Sequence, residues 1–312
     1  MARGITVAVP THNRGPRLQQ TLRSIAELTI PADFAPRCVV VDNCSPDETR
    51  VVVERFAAEA PFEVRYVFEP QLGSSRARNR AIAESSGEYL LFIDDDAVAE
   101  PQWLGAMVAA MDDRALDVGC GAVLPRWETA APKWLGPRLY AKLAVHDPSA
   151  LAAEPRERFE TLAAYFSANV CFRRTILDRC GWFSEELGVV GGRPYSGEDT
   201  ELFARIARGG GRVGFVPQAR VYHSIAPERM TARYLRHKSF AFGMGSAVAA
   251  SKSHNRPDKL AKNLVRMARA AIAGDREGAL YHELECWNFA GYWSGRLARL
   301  RSSSRVLRNW RF

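Results

Sequence analysis

The sequence predicts an α/β protein whose central sheet is mostly parallel and covered by helices on both faces. Three observations carry this. Short β-branched apolar runs alternate with helix-like stretches through the first half of the chain. Each run is followed by Pro, Asn, Asp or Gly, the residues that turn a chain at a strand end. A composition of 47% apolar and 25% charged residues over 312 positions suits a domain that buries a full core, not a disordered or fibrous chain.

Taken in order, residues 5–9, 38–41, 64–68 and 89–93 read as strands. After the second, Ser45-Pro46-Asp47-Glu48 offers an N-cap serine, a proline at the first helical position and a capping-box glutamate. Residues 117–124 read as a further strand. Residues 125–158, rich in Pro, Trp and charge without a period, read as an irregular insertion. Order returns with a strand at 168–172, a helix at 196–208 closed by Gly209-Gly210-Gly211, and a strand at 212–216. Val221-Tyr222-His223 follows that short strand and Pro217. From Thr231 onward the pattern is helical, with Leu260, Leu264, Ala268, Ala271 and Ile272 on one face. The expected organisation is a catalytic domain over 1–230, divided near residue 124 into nucleotide-binding and acceptor halves, and a basic helical extension over 231–312.

Charge placement limits the partners. The formal excess of +8 sits entirely in residues 252–312, which hold thirteen Lys and Arg against five Asp and Glu. A wholly basic nucleic-acid surface is therefore not expected. The basic tail suits an anionic lipid, a phosphorylated acceptor or an acidic partner, and equally a solvated or packed helix. Six cysteines at irregular spacing suggest neither a zinc knuckle nor a disulfide framework. With no signal-like leader and no run of about 18 apolar residues, the expectation is a cytoplasmic protein that does not cross a bilayer, peripheral at most on its cytoplasmic face. A homo-oligomer is compatible with the sequence.

The chemistry concentrates at strand ends, where open sheets of this kind bind ligands. Leu90-Leu91-Phe92-Ile93 runs into Asp94-Asp95-Asp96. Three adjacent anions repel one another, and a hard cation carrying a diphosphate is the usual compensation, although a solvated turn would serve as well. Strand alternation puts Asp94 and Asp96 on one side, where they can share a ligand.

The chain here resembles the family 2 glycosyltransferases of the GT-A fold. The matching text is Val7-Ala8-Val9-Pro10-Thr11-His12-Asn13-Arg14, then Val40-Val41-Asp42-Asn43-Cys44-Ser45, then Gly73-Ser74-Ser75-Arg76-Ala77-Arg78-Asn79, then Gly87-Glu88-Tyr89 leading into the Asp triad. Four motifs in the right order are more specific than any one. The resemblance covers roughly residues 4–230. It departs at Ala81, where many relatives have glycine, and over 125–165, which has no recognisable counterpart.

The resemblance implies a role for each motif. Asp42 and the Pro10-Thr11 backbone would hold the nucleobase, with Asn13 and Arg14 beside them, Asp94 the ribose with Asp95 next to it, and Asp96 a Mn²⁺ or Mg²⁺ ion bridging the diphosphate. Arg76, Arg78 and Asn79 would line the nucleotide side. Each has a structural alternative, an Asx turn for Asp42 and a solvated helix face for the arginines. Further on, Ser196-Gly197-Glu198-Asp199 matches the family's Glu-Asp signature and makes Asp199 the expected catalytic base; as the end of a capping box it would be structural. In related enzymes a histidine near His223 completes the metal site, which would favour manganese because Mn²⁺ accepts imidazole more readily.

The implied function is inverting transfer of a sugar from a nucleoside-diphosphate donor, UDP-linked by preference, to a carbohydrate, lipid-linked or other hydroxyl acceptor in polysaccharide or glycoconjugate synthesis. The glycine-rich segment 188–193 is expected to order over the donor as a lid. The competing readings are a sugar nucleotidyltransferase, disfavoured because Pro10-Thr11-His12-Asn13-Arg14 replaces a glycine-rich phosphate loop, and a catalytically silent nucleotide-sugar-binding domain, disfavoured by intact Asp94, Asp96 and Asp199.

Overall fold

In the computed structural model, residues 2–149, 167–190, 193–249 and 257–308 are described. The chain forms two compact units. One comprises Met1–Arg126, Ala144–Glu185 and Asp199–Ser224; the other comprises Trp127–Leu143, Glu186–Glu198 and Ile225–Phe312. The segment 127–143 and the glycine-rich loop thus belong with the C-terminal helices.

The first unit opens with alternating elements: β1 (Arg3–Thr11), α1 (Gly15–Ala26), β2 (Phe34–Asp42), α2 (Thr49–Glu59), β3 (Glu63–Phe68), α3 (Ser74–Glu84), β4 (Tyr89–Ile93), β5 (Ala97–Ala99), α4 (Trp103–Asp113) and β6 (Val118–Trp127). After the short α5 (Pro137–Tyr140) come β7 (Asn169–Arg173) and α6 (Arg174–Cys180), then β8 (Gly188–Val190), β9 (Arg193–Tyr195), α7 (Glu198–Arg208) and β10 (Val213–Ile225). Eight strands make one sheet in the order β3-β2-β1-β4-β7-β6-β10-β5. The first four are parallel; β7 then pairs antiparallel with both β4 and β6, and β5 antiparallel with β10.

Side-chain alternation divides the core into two layers, which is why the strands read as continuous apolar runs. Ile5, Val7 and Val9 of β1, Cys38 and Val40 of β2, and Tyr89, Leu91 and Ile93 of β4 face α1 and α4 through Leu18, Leu22, Trp103 and Met107. Ala8, Val39, Val41, Leu90 and Phe92 point the other way, onto Ala81 and Ile82 of α3, Leu177 of α6 and Phe203 of α7. All five residues of β4 are buried. At about 1.5–3 kcal/mol for each large apolar side chain fully buried, this strand is a main anchor of the fold.

Two expectations need correction. The second helix starts at Thr49, not at Ser45: Asp47, two residues ahead, accepts from the Thr49 amide and hydroxyl, while its other oxygen takes the Gly15 amide. The strand expected at 212–216 runs on through Pro217 as the thirteen-residue β10. Its partner β5 covers only Val221–His223, so on that flank Pro217 forfeits no ladder bond. The glycine-rich segment is flanked by pairing, β8 antiparallel to β9, with residues 191 and 192 outside the described set. Of the insertion expected at 125–158, residues 150–158 also lie outside it.

The second unit contains three long helices: α8 (Ala232–Val248), α9 (Pro257–Ile272) and α10 (Arg276–Arg308). Helices α8 and α10 approach closely because glycines meet backbone at the crossing. A Cβ on Gly243 would lie 2.0 Å from the Asn288 carbonyl oxygen, and one on Gly291 would lie 2.0 Å from that of Phe240. Thr231 caps α8 through the Tyr234 amide. Among the described residues no helix is long and apolar enough to cross a membrane.

Candidate active site

The parallel register of β1 and β2 sets Thr11 opposite Asp42, so the turns leaving both strands emerge at one edge of the sheet. Asn13 adopts φ 54°, a left-handed conformation that asparagine tolerates. Its amide donates to Ser45 Oγ at 2.8 Å, and the Asn43 amide donates to the Thr11 carbonyl at 2.9 Å. Asp42 is buried: one oxygen accepts the Ser45 amide (2.9 Å) and the other the Tyr66 hydroxyl (2.8 Å). The carboxylate thus reaches the backbone three residues on, one further than in an Asx turn. Burial first, and the bond to Asp42 second, push the Tyr66 hydroxyl up to about 12.

Asn43 and His12 escaped the sequence reading. The Asn43 amide donates to the Glu69 and Gln71 carbonyls and accepts from the Gly73 amide (2.7 Å), so one buried side chain shapes the turn that launches α3. Gly73 itself has φ 152°, a value that favours glycine. The His12 amide faces Asp95 Oδ2 at 3.4 Å. A buried polar residue next to a strand-end aspartate was the available signal for Asn43; for His12 there was none.

The aspartate triad follows β4, and the protein supplies its own compensation. The strand ends at Ile93, so side-chain alternation does not extend to Asp94 and Asp96. Instead Asp95 and Asp96 share Nη1 of Arg14 at 2.8 Å each. Asp95 also accepts from the Thr11 hydroxyl at 2.8 Å, whereas Asp94 lies 3.5 Å from Arg78 of α3. Burial pushes the Asp95 carboxyl up to about 6, against the opposing pull of Arg14 and with Asp96 adding to the rise. Backbone pairing then fixes a histidine beside the triad. Ala97 pairs with His223, the Ser224 amide donates to the Asp96 carbonyl, and His223 Nε2 comes to 3.1 Å from Asp96 Oδ1. Both side chains are 2% exposed.

On α3 the buried Arg78 is not a solvated residue: besides Asp94 it faces the Phe183 ring, 5.7 Å from guanidinium carbon to centroid. Arg76 pairs with Glu185 at 3.3 Å. The Asn79 amide donates to the Phe183 carbonyl and accepts the Phe183 amide. With both ends of its amide so engaged, Asn79 positions the segment after α6.

Asp199 arrives from α7, which begins at Glu198 and not at the expected cap, Ser196. Its Oδ1 accepts the Thr200 amide at 2.8 Å and its Oδ2 the Ser167 amide at 3.3 Å. Ser167 precedes Ala168, whose carbonyl accepts the Asp94 amide at 3.4 Å. Asp199 thus stands one short backbone step from the triad, at the same sheet edge. Glu198 is buried, and its Oε2 accepts the Gly197 amide at 3.1 Å.

An adjoining carboxylate and imidazole form a mixed oxygen and nitrogen donor set, which Mn²⁺ accepts more readily than Mg²⁺ does. Among the described residues no group of three or more His, Cys, Asp or Glu is arranged to hold a metal. Asp96 and His223 are two potential donors that the fold brings together.

The family model described as Glycosyl transferase family 2 matches residues 6–181. The succinoglycan biosynthesis protein ExoM of Rhizobium meliloti (strain 1021) is 29% identical over 276 residues, 88% of this chain and 82% of that protein. Among solved structures, the mannosyltransferase PcManGT of Pyrobaculum calidifontis in complex with GDP-Man and Mn²⁺ has a TM-score of 0.57 at 19% identity, covering 100% of this chain and 82% of its own. S. aureus TarS 1-349 in complex with UDP-GlcNAc has 0.54 at 19% identity, covering 97% and 92%. These structures share the α/β fold.

Proposed function

The chain belongs to glycosyl transferase family 2, and on that premise we propose that it moves a sugar from a nucleoside diphosphate, UDP by preference, to an acceptor hydroxyl with inversion at the anomeric carbon. The observation that carries this reading is the placement of Asp199 next to the Asp94–Asp95–Asp96 turn through the Ser167–Ala168 backbone. A nucleotide-sugar donor is supported by the complexes of PcManGT with GDP-Man and of TarS with UDP-GlcNAc. A role in polysaccharide synthesis is supported by the name of ExoM.

In this reading Asp42 and the Pro10-Thr11 backbone hold the base, Asp94 the ribose, and Arg76 and Arg78 flank the nucleotide. Asn13, Arg14, Asp95 and Glu198 border the donor, and Asn79 keeps the neighbouring segment in place. Asp96 and His223 hold a divalent cation, Mn²⁺ or Mg²⁺, which when bound offsets the charge developing on the departing diphosphate. A carboxylate oxygen of Asp199 accepts the proton of the acceptor hydroxyl as the new glycosidic bond forms. The two backbone amides on Asp199 fix the orientation of its carboxylate. One base acting on one displacement inverts the sugar.

The test is a panel of nucleotide sugars with Mn²⁺ or Mg²⁺, read as released nucleoside diphosphate. Asp199→Asn lowers turnover by about 10²–10⁴-fold with nucleotide binding retained. Asp96→Asn lowers turnover and also abolishes the metal-dependent part of nucleotide binding. Near-normal turnover in Asp199→Asn would overturn the assignment of the base.

A further inference from the structure

Helix α9 turns its apolar side to water. Successive positions 100° apart place Ala261, Leu264, Val265, Ala268 and Ile272 on one side of the helix and Lys259, Lys262, Arg266 and Arg269 on the other. A surface helix ordinarily buries the first set. Here the half-buried positions are Leu260, Asn263, Met267 and Ala270, along the edge near α10, where His282 Nδ1 lies 3.0 Å from Asn263 Oδ1. The apolar stripe is left outside: Leu264 is 46% exposed, Val265 51% and Ile272 89%, and no residue of the helix is buried. The adjoining α10 also exposes Trp293, Leu297 and Leu300.

We propose that α9 is a membrane-surface helix, which lays this stripe into an anionic lipid leaflet with its axis in the interface plane. Charge selects the occupant. The helix carries four cations against one carboxylate, Asp258, which is itself paired with Lys262 at 3.6 Å. A second copy of the chain on this face would bring like charges together, whereas anionic headgroups complement Lys262 and Arg269 at the border of the stripe. An amphipathic helix with cations on its polar face and exposed aliphatic side chains on the other has the makeup of an interfacial helix, and its affinity adds apolar insertion to headgroup attraction. The assignment uses the second unit alone and stands independently of the proposed sugar transfer.

The test is co-sedimentation of the full chain with phosphatidylcholine vesicles, and with vesicles of equimolar phosphatidylcholine and phosphatidylglycerol. The protein pellets with the anionic vesicles and stays in the supernatant with the neutral ones. Lys262→Gln with Arg269→Gln lowers the partition roughly thirtyfold, each cation contributing about the surface attraction of one basic residue. Leu264→Gln with Val265→Gln lowers it to background. Both double variants keep the parent Tm and donor hydrolysis, because the replaced side chains are exposed. Equal binding by parent and variants would overturn the proposal. So would a lipid-free dimer that Leu264→Gln with Val265→Gln converts to monomer, since the stripe would then belong to a second copy.

Discussion

At residue 14 a single guanidinium serves two carboxylates, Asp95 and Asp96, that have almost no contact with water. Removing one partner of a buried ion pair typically costs about 3–5 kcal/mol, because the other charge stays behind unpaired. The Arg14 side chain is two-fifths exposed, so water replaces part of what it provides, and about 1–3 kcal/mol is the better expectation. Arg14→Gln is therefore expected to lower Tm by several degrees and to weaken nucleotide binding, whereas Arg50→Gln, on the exposed side of α2, leaves both unchanged. Thermal unfolding and nucleotide titration of the two variants check this. Asp94, Asp95 and Asp96 were legible as a candidate site because three carboxylates at a strand end are chemically conspicuous. That Arg14 would neutralise two of them was not, because residues 14 and 95 meet only when β1 and β4 pair.

Among the elements, β7 anchors the backbone that meets Asp199. Asn169 at its start accepts the Trp103 indole N–H and donates to the carbonyls of Ala122 and Ala219, each at 2.8 Å, which ties β7 to α4, β6 and β10. Replacing a fully bonded, buried amide strands its partners at about 1–3 kcal/mol each. Asn169→Ala is expected to cost several kcal/mol in urea unfolding. If it folds, it loses turnover as well, because Ser167 and Ala168 lead directly into this strand and carry the contacts to Asp199 and Asp94. Normal turnover in a destabilised Asn169→Ala would show that the site does not depend on this anchor. Strands 89–93 and 64–68 were readable almost to the residue from their apolar runs. The start of α2 was misread because Asp47, not Ser45, bonds the Thr49 amide, and Ser45 is recruited by Asn13 from another turn.

Across the first unit, the end of the sheet opposite the candidate site is closed by charge. Arg3 bonds both Glu88 and Asp112, Arg173 pairs with Glu88, and the Tyr89 hydroxyl donates to Asp112. The Arg3 bond holds the Asp112 carboxyl down at about 2, and the same arginine keeps Glu88 below its usual range. A depressed native pKa contributes stability above the unfolded value of about 3.9 and loses it as pH falls through the native value. Tm is therefore expected to drop between about pH 4 and pH 2, and Asp112→Asn to flatten that slope. With about a third of these side chains exposed, added salt shrinks the effect. A slope identical in Asp112→Asn and the parent would remove the network from the account.

The α/β class, the strands that form the parallel half of the sheet, the family and the candidates for nucleotide-sugar contact were all legible before folding, because they reside in local pattern and residue type. Only the tertiary structure decided which of those residues meet. It joined Arg14 to Asp95 and Asp96, brought His223 alongside Asp96 through the β10–β5 ladder, and turned the apolar stripe of α9 outward. Each of these depends on strand order or helix rotation, which are set by packing between segments far apart in the chain and leave no trace in the spacing of any one of them.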